Sequence, residues 1–97
     1  MNGTFSITIG TPIGSQKGVV TFVDESGKLS GSIRAMGNTN FFKNGKMVDN
    51  SFEFSGILDI GLFKFTYNTK GTIIENALKG IATTNSGSFQ MSGTRIA

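Results

Sequence analysis

The chain has 97 residues, of which 14 are glycine, nine are phenylalanine and one is proline, and its formal net charge is +3. A chain of this length forms one domain, residues 1–97, and its aromatic content excludes a disordered chain. Cysteine and histidine are absent, which excludes disulfide and thiolate chemistry and removes the commonest metal ligand and general base. We therefore expect a protein that is not an enzyme and that uses no cofactor and no metal.

The nine basic residues are spread singly along the chain without a run of like charge, so we expect no nucleic-acid partner. The apolar stretches are only a few residues long, which excludes a membrane-spanning helix. The first residues, Met-Asn-Gly-Thr-Phe-Ser-Ile, alternate like a strand and have neither the basic region nor the apolar core of a signal peptide. We expect a cytoplasmic protein with no membrane partner.

Alternation of apolar and polar residues predicts short strands separated by turn residues along the whole chain. In chain order, the approximate bounds of the eight strands are 4–9, 16–24, 29–35, 40–43, 52–58, 62–73, 78–82 and 89–95. The number rises to nine or ten if residues 46–48 and 73–74 form strands of their own. Asn44-Gly45 is the strongest hairpin dipeptide in the chain, so we expect a tight turn there. No 3.6-residue apolar stripe is sustained, so no helix is predicted.

Six glycines share the alternation phase of the apolar residues in six of these segments. They are Gly18, Gly31, Gly56, Gly71, Gly80 and Gly93. Glycine inside a strand marks a bulge, a sharp bend or a close backbone approach. Its repetition at one phase predicts strands that all coil tightly. The predicted fold class is therefore all-β: an antiparallel up-and-down meander of about eight short strands closed into a small barrel.

The interior of an eight-stranded barrel is either filled by side chains or holds one small ligand. The large side chains of the inward phase are Phe5, Ile7, Ile9, Val20, Phe22, Leu29, Ile33, Phe52, Phe54, Leu58, Phe63, Phe65, Tyr67, Ile73, Leu78, Phe89 and Met91. Their number favours a filled core, and a small apolar cleft at the glycine-rich end is the second interpretation. If a ligand enters the barrel, we expect Phe54, Phe65, Tyr67 and Met91 to line its site.

The two ends of the chain carry a family resemblance. Gly3-Thr4-Phe5 lies on the first strand and Thr94-Arg95-Ile96 on the last, which resembles the calycin barrels: lipocalins, fatty-acid-binding proteins and avidins. In those proteins an arginine from near the end of the barrel covers a Gly-x-Trp motif on the first strand. The resemblance implies a calycin-like barrel closed by Arg95 over Phe5 and, as in many members, a small apolar ligand. The Thr-Pro-Ile-Gly turn at 11–14 and the Gly-Thr-Arg at 93–95 also look like those of a family of small bacterial proteins.

An enzymatic centre is the least favoured hypothesis. Without histidine or cysteine, its chemistry would have to use Tyr67 or Asp59. Asp59 lies near the end of a predicted strand, just before the Gly61 turn, where an acid that only faces solvent is the expected structure.

The outward phase carries apolar residues where polar ones are expected. They are Val19, Val23, Ile57, Leu62 and Ile81. A contiguous exposed apolar patch marks a partner surface. Adjacent Phe41 and Phe42 must also face opposite sides of their strand, and an edge or interface ring is favoured over base stacking. We expect a binding or assembly domain that forms a homodimer, with Ile57 and Leu62 in the interface. The alternative is a lipocalin-like carrier of a small apolar ligand.

Overall fold

The structure, a computed structural model, describes residues 2–11, 14–35, 37–59, 64–85 and 87–97, with the backbone only of Thr11 and Phe65. Eight strands cover most of these residues: β1 (Gly3–Thr11), β2 (Gly14–Glu25), β3 (Lys28–Ala35), β4 (Asn38–Val48), β5 (Ser51–Asp59), β6 (Lys64–Ile74), β7 (Ala77–Thr84) and β8 (Gly87–Arg95). Each strand pairs antiparallel with the next, and β1 pairs with β8, so the sheet closes into a barrel in chain order. The predicted up-and-down barrel is confirmed.

The inward glycines lie opposite large inward side chains of a neighbouring strand. The pairs are Gly18 with Ile7, Gly31 with Phe22, Gly56 with Tyr67, Gly71 with Phe52, Gly80 with Met91 and Gly93 with Ile7 and Leu78. Because a closed barrel of eight strands has little interior room, a large residue on one strand needs a small one beside it. The glycines therefore share the phase of the apolar residues because each one leaves room in the interior for a large side chain of a neighbouring strand.

Aromatic rings fill the middle of the barrel. The ring of Phe22 lies 5.7 Å from that of Phe5, 6.1 Å from Phe42, 5.4 Å from Phe52 and 5.8 Å from Phe54, centroid to centroid. All five side chains are almost completely buried. Edge-to-face and offset contacts at these separations are favourable beyond the burial of apolar area. At the level of this aromatic cluster the interior is occupied by the protein's own side chains.

The prediction of a hairpin turn at Asn44-Gly45 is wrong, because both residues lie inside β4. Lys43 and Asn44 together oppose the single residue Ser30 of β3, which is a β-bulge. Asn44 has a φ of +69°, the left-handed conformation that a bulge and a tight hairpin both use. A Cβ on Gly45 would lie 2.9 Å from the carbonyl oxygens of Leu29 and Glu53, so only glycine fits there.

The fourth strand is much longer than the predicted residues 40–43. The bulge shifts its alternation phase, and the strand buries two side chains that alternation did not assign. Phe42 and Met47 are buried. The chain turns instead at Asp49-Asn50, before β5. Residues 46–48 belong to β4 and residues 73–74 to β6, so neither piece is a separate strand.

Candidate functional site

Three of the predicted ligand-lining residues belong to the packed core. Phe54, Tyr67 and Met91 are all buried. The Phe54 ring stacks on Phe42 with centroids 4.0 Å apart, and the Tyr67 ring meets it edge-on at 6.0 Å. The structure therefore brings Phe54 and Tyr67 together, in contact with other rings. The side chain of Phe65 lies outside the described residues.

Tyr67 places a phenol inside the barrel wall. A Cβ on Gly56, which faces it on β5, would lie 3.2 Å from the Tyr67 hydroxyl oxygen. Burial raises the pKa of Tyr67 to about 12, since the phenolate would lose its hydration. The neutral phenol therefore persists to higher pH than in an exposed tyrosine, which suits hydrogen bonding to a ligand and not general-base catalysis.

The two residues named for an enzymatic centre do not form one site. Asp59 ends β5 on the outer face, with its Oδ2 3.9 Å from the Lys64 Nζ, whereas Tyr67 faces the core. Both side chains of the Asp59–Lys64 pair are well exposed, and such a pair contributes little energy. Among the described residues, no group of three or more acids could hold a metal ion.

The closing strands bring the chain ends together around Phe5. Arg95 pairs with Phe5 in the β1–β8 register, and its Cζ lies 4.9 Å from the centroid of the Phe5 ring. Its Nη1 donates a hydrogen bond of 2.9 Å to the carbonyl oxygen of Asn2. A Cβ on Gly3 would collide with that guanidinium. Gly3 thus leaves the space in which Arg95 lies across the ring.

The outer face of β4 and β5 exposes two large apolar side chains. Phe41 is 80% exposed and Ile57 59%. They lie on neighbouring strands, Phe41 directly after Asn40 and Ile57 two residues before Asp59, and Asn40 and Asp59 are joined by two hydrogen bonds. We call Phe41 and Ile57 the outer patch. Sequence alternation had identified Ile57 and could not decide between Phe41 and Phe42.

The other outward apolar residues are dispersed. Val23 on β2 and Ile81 on β7 are exposed, and Val19 is half-buried. Leu62, predicted in the interface with Ile57, lies outside the described residues. Val48, Ile74 and Ile96 are exposed at or near the end of the barrel that holds the Asp49-Asn50 and Glu75-Asn76 turns.

Among the described residues, β4 and β5 have the shortest regular pairing of any two neighbouring strands. Their regular pairing covers three residue pairs, against nine between β5 and β6. Near the other end of this seam, Asn40 replaces the missing ladder: its Nδ2 donates to the Asp59 carbonyl oxygen at 2.9 Å, and its Oδ1 accepts from the Asp59 N–H at 3.0 Å. The outer patch lies along this seam.

No protein-family model, curated protein or solved structure matches the chain. The described residues contain no helix that could cross a bilayer.

Proposed function

We propose that the protein is a non-enzymatic binding and assembly domain that forms a homodimer through the outer patch. The observation that carries this proposal is the exposure of both Phe41 and Ile57 on the outer face of the neighbouring strands β4 and β5. In an antiparallel barrel the fold buries only the inner face, so apolar side chains outside it stay wet unless a partner covers them. A two-fold interface would pair each patch with its own copy.

The energy of such an interface is modest. Burying one large apolar side chain contributes about 1.5–3 kcal/mol, and a symmetric dimer buries both patches. Association costs several kcal/mol in lost freedom, so the expected dimer is weak and forms at micromolar concentration. The small cross-strand neighbours Ser32 and Thr66 would allow two barrels to approach closely.

Light scattering across a concentration series tests the proposal. We expect the mass to rise from 10.3 kDa toward twice that value, and Ile57→Lys and Phe41→Ser to hold the protein at the monomer mass. Ile81→Lys is the matched control, because Ile81 is an equally exposed isoleucine on β7. A monomer at every concentration would contradict the proposal. A dimer lost only in Ile81→Lys would move the interface to the other side of the barrel.

A calycin-like carrier of a small apolar ligand is the second candidate, supported by the arrangement of Gly3, Phe5 and Arg95. Half-buried Ile9, Leu58 and Ala82 pack against the core, and they would form the apolar wall of a site whose polar group is the Tyr67 hydroxyl. Displacement of a fluorescent fatty-acid probe tests it. Binding that Tyr67→Phe weakens would support this function, and no displacement by fatty acids or flavins would remove it. A cytoplasmic location is proposed for both candidates.

A further inference from the structure

The positive charge of the molecule is concentrated on one hairpin. Between Glu25 and Asp49 the chain has no acidic residue and four basic ones, which are Lys28, Arg34, Lys43 and Lys46. Acids slightly outnumber bases in the rest of the chain. The dispersed charges of the sequence therefore gather on β3 and β4, the two strands that this segment forms.

Two lysines of this hairpin face each other. Lys28 and Lys46 are direct partners in the β3–β4 register, and like charges in that position destabilise a sheet. Glu25 lies opposite Lys28 on β2, while Glu53, opposite Lys46 on β5, has its carboxylate 3.5 Å from Lys70. The cations of the hairpin are therefore only partly neutralised by the protein itself.

The bulge in β4 adds a third lysine to this region. With Lys43 and Asn44 both opposite Ser30, the bulged strand bends, and bulges of this kind re-aim side chains. The strained φ of +69° at Asn44 and the tight fit of Gly45 show that the bend is enforced by the backbone on both sides.

A concavity opens where the bulge meets the turn between β2 and β3. It is shallow and open to solvent, its volume is about 480 Å³, and it is lined by Leu29 and by six polar residues: Lys28, Lys43, Asn44, Ser26, Ser30 and Glu25. The turn that forms one wall is held on two sides, because the Gly27 N–H donates to the Asp24 carboxylate at 2.9 Å and the Gly27 carbonyl oxygen accepts from the Met47 N–H at 2.9 Å. A concavity this open can contact one charged group of a small molecule and does not enclose the whole molecule.

We propose that this concavity binds the phosphate group of a small phosphorylated ligand. A phosphomonoester carries nearly two negative charges and three strong acceptor oxygens. Two ammonium groups, one carboxamide and two hydroxyls supply donors for the phosphate oxygens, and the charges of Lys28 and Lys43 together exceed the single negative charge of Glu25. Glu25 accepts a hydrogen bond from a hydroxyl on the organic part of the ligand. This site adjoins the outer patch, because Lys43 follows Phe41 by two residues on the same face of β4, but it shares no residue with that patch, so the two proposals are tested by different variants.

The test is an NMR titration of the ¹⁵N-labelled protein with three probes: inorganic phosphate, glucose 6-phosphate and glucose. We expect saturable shifts at residues 26–30 and 43–45 with both phosphates and none with glucose. Glucose 6-phosphate should bind more tightly than inorganic phosphate. Equal affinities for the two phosphates would overturn the assignment to an organic ligand, and shifts spread over all the lysines would overturn the site itself.

Variants identify the residues. Lys28→Gln and Lys43→Gln should each weaken phosphate binding about tenfold, the effect of losing one charged hydrogen bond. Asn44→Gly keeps the left-handed backbone and removes the amide, so it should also weaken binding. Lys79→Gln makes the same change of net charge at an exposed lysine of β7 and should leave the affinity for phosphate unchanged. Wild-type affinity in both Lys28→Gln and Lys43→Gln, with unchanged melting temperatures, would contradict the proposal.

Discussion

At the residue scale, the packing of this barrel depends on the absence of a Cβ atom at each inward glycine. Gly71 and Gly80 face each other on β6 and β7, and the tip of the Phe52 ring lies over both: a Cβ would come within 2.6 Å of it at Gly71 and 3.4 Å at Gly80. Phe52 therefore covers the backbone that the two glycines expose, a contact known to support glycine in strands. The ring and the glycines act as one unit.

The cost of adding a methyl group should follow what that methyl would meet. At Gly80 it would lie 2.8 Å from the Lys70 carbonyl oxygen, which is fixed in the sheet, whereas at Gly56 it would meet the end of the Tyr67 side chain. We expect Gly80→Ala to lose about 1–3 kcal/mol of unfolding free energy and Gly56→Ala less. Gly10→Ala, where the nearest atom is 3.9 Å away, is the control and should be neutral or slightly stabilising. Urea unfolding measures all three, and equal losses at Gly80 and Gly10 would refute this explanation of the glycine phase.

Tyr67 gives the protein a spectroscopic reporter of its interior, because it is the only tyrosine and tryptophan is absent. Its pKa is raised from 10.0 to about 12, so the folded state favours the neutral phenol. The stabilisation is fully present below pH 10 and is lost as the pH rises toward 12. We expect the phenolate absorbance of the native protein to appear near pH 12 and that of the protein in urea near pH 10. A native midpoint at pH 10 would mean that the hydroxyl is open to water.

At the scale of elements, the seam between β4 and β5 is the place where backbone pairing is replaced by a side chain. Asn40 presents one donor and one acceptor to the backbone of Asp59, as a backbone amide of a paired strand would. Phe42 and Phe54 stack across the same seam on the inner face. The two contacts hold β4 against β5 where the ladder does not.

Removing the side-chain carboxamide of Asn40 should destabilise the pairing of β4 with β5 more than it destabilises the rest of the barrel. Asn40→Ala loses both hydrogen bonds, with an expected cost of about 1–3 kcal/mol, and Asn40→Asp should cost at least as much because a carboxylate would face the Asp59 carbonyl oxygen. Thr39→Ala, an exposed neighbour, is the control. Hydrogen exchange should accelerate most at the amide of Asp59. Unchanged exchange there in Asn40→Ala would show that Asn40 does not bridge the strands in solution.

Sequence alternation predicted the elements well wherever strand pairing was regular. It failed at Asn44-Gly45, because that dipeptide satisfies the backbone of a hairpin turn and of a bulge equally, and only the pairing with Ser30 and Leu29 distinguishes them. One extra residue reverses the alternation, so Met47 was not assigned to the core, and alternation alone could not decide which of the adjacent Phe41 and Phe42 is buried. The clustering of Lys28 and Lys43 was likewise hidden, since it arises from register between strands and not from neighbours in the chain.

At the scale of the whole molecule, the barrel depends on pairing its first strand with its last. β1 and β8 share five residue pairs, from Phe5 with Arg95 to Ile9 with Met91. Beyond them the Ile96 N–H donates to the Thr4 carbonyl oxygen at 2.8 Å. A closed barrel has no free strand edge, so this seam protects the molecule against pairing with other chains.

Deleting residues 87–97 should therefore convert a closed barrel into an open sheet with two unpaired edges, β1 and β7. Such edges recruit further strands, and the loss of Met91 from beside Ile9 and Gly80 uncovers apolar area. We expect the shortened chain to aggregate and a synthetic peptide of residues 87–97 to restore a discrete, folded complex by adding the missing strand. A peptide carrying Met91→Lys should fail, because its lysine would enter the core, whereas Gln90→Lys, on the outer face, should still restore the fold. Equal rescue by both peptides, or a stable monomer without any, would show that closure by β8 is not what holds the barrel together.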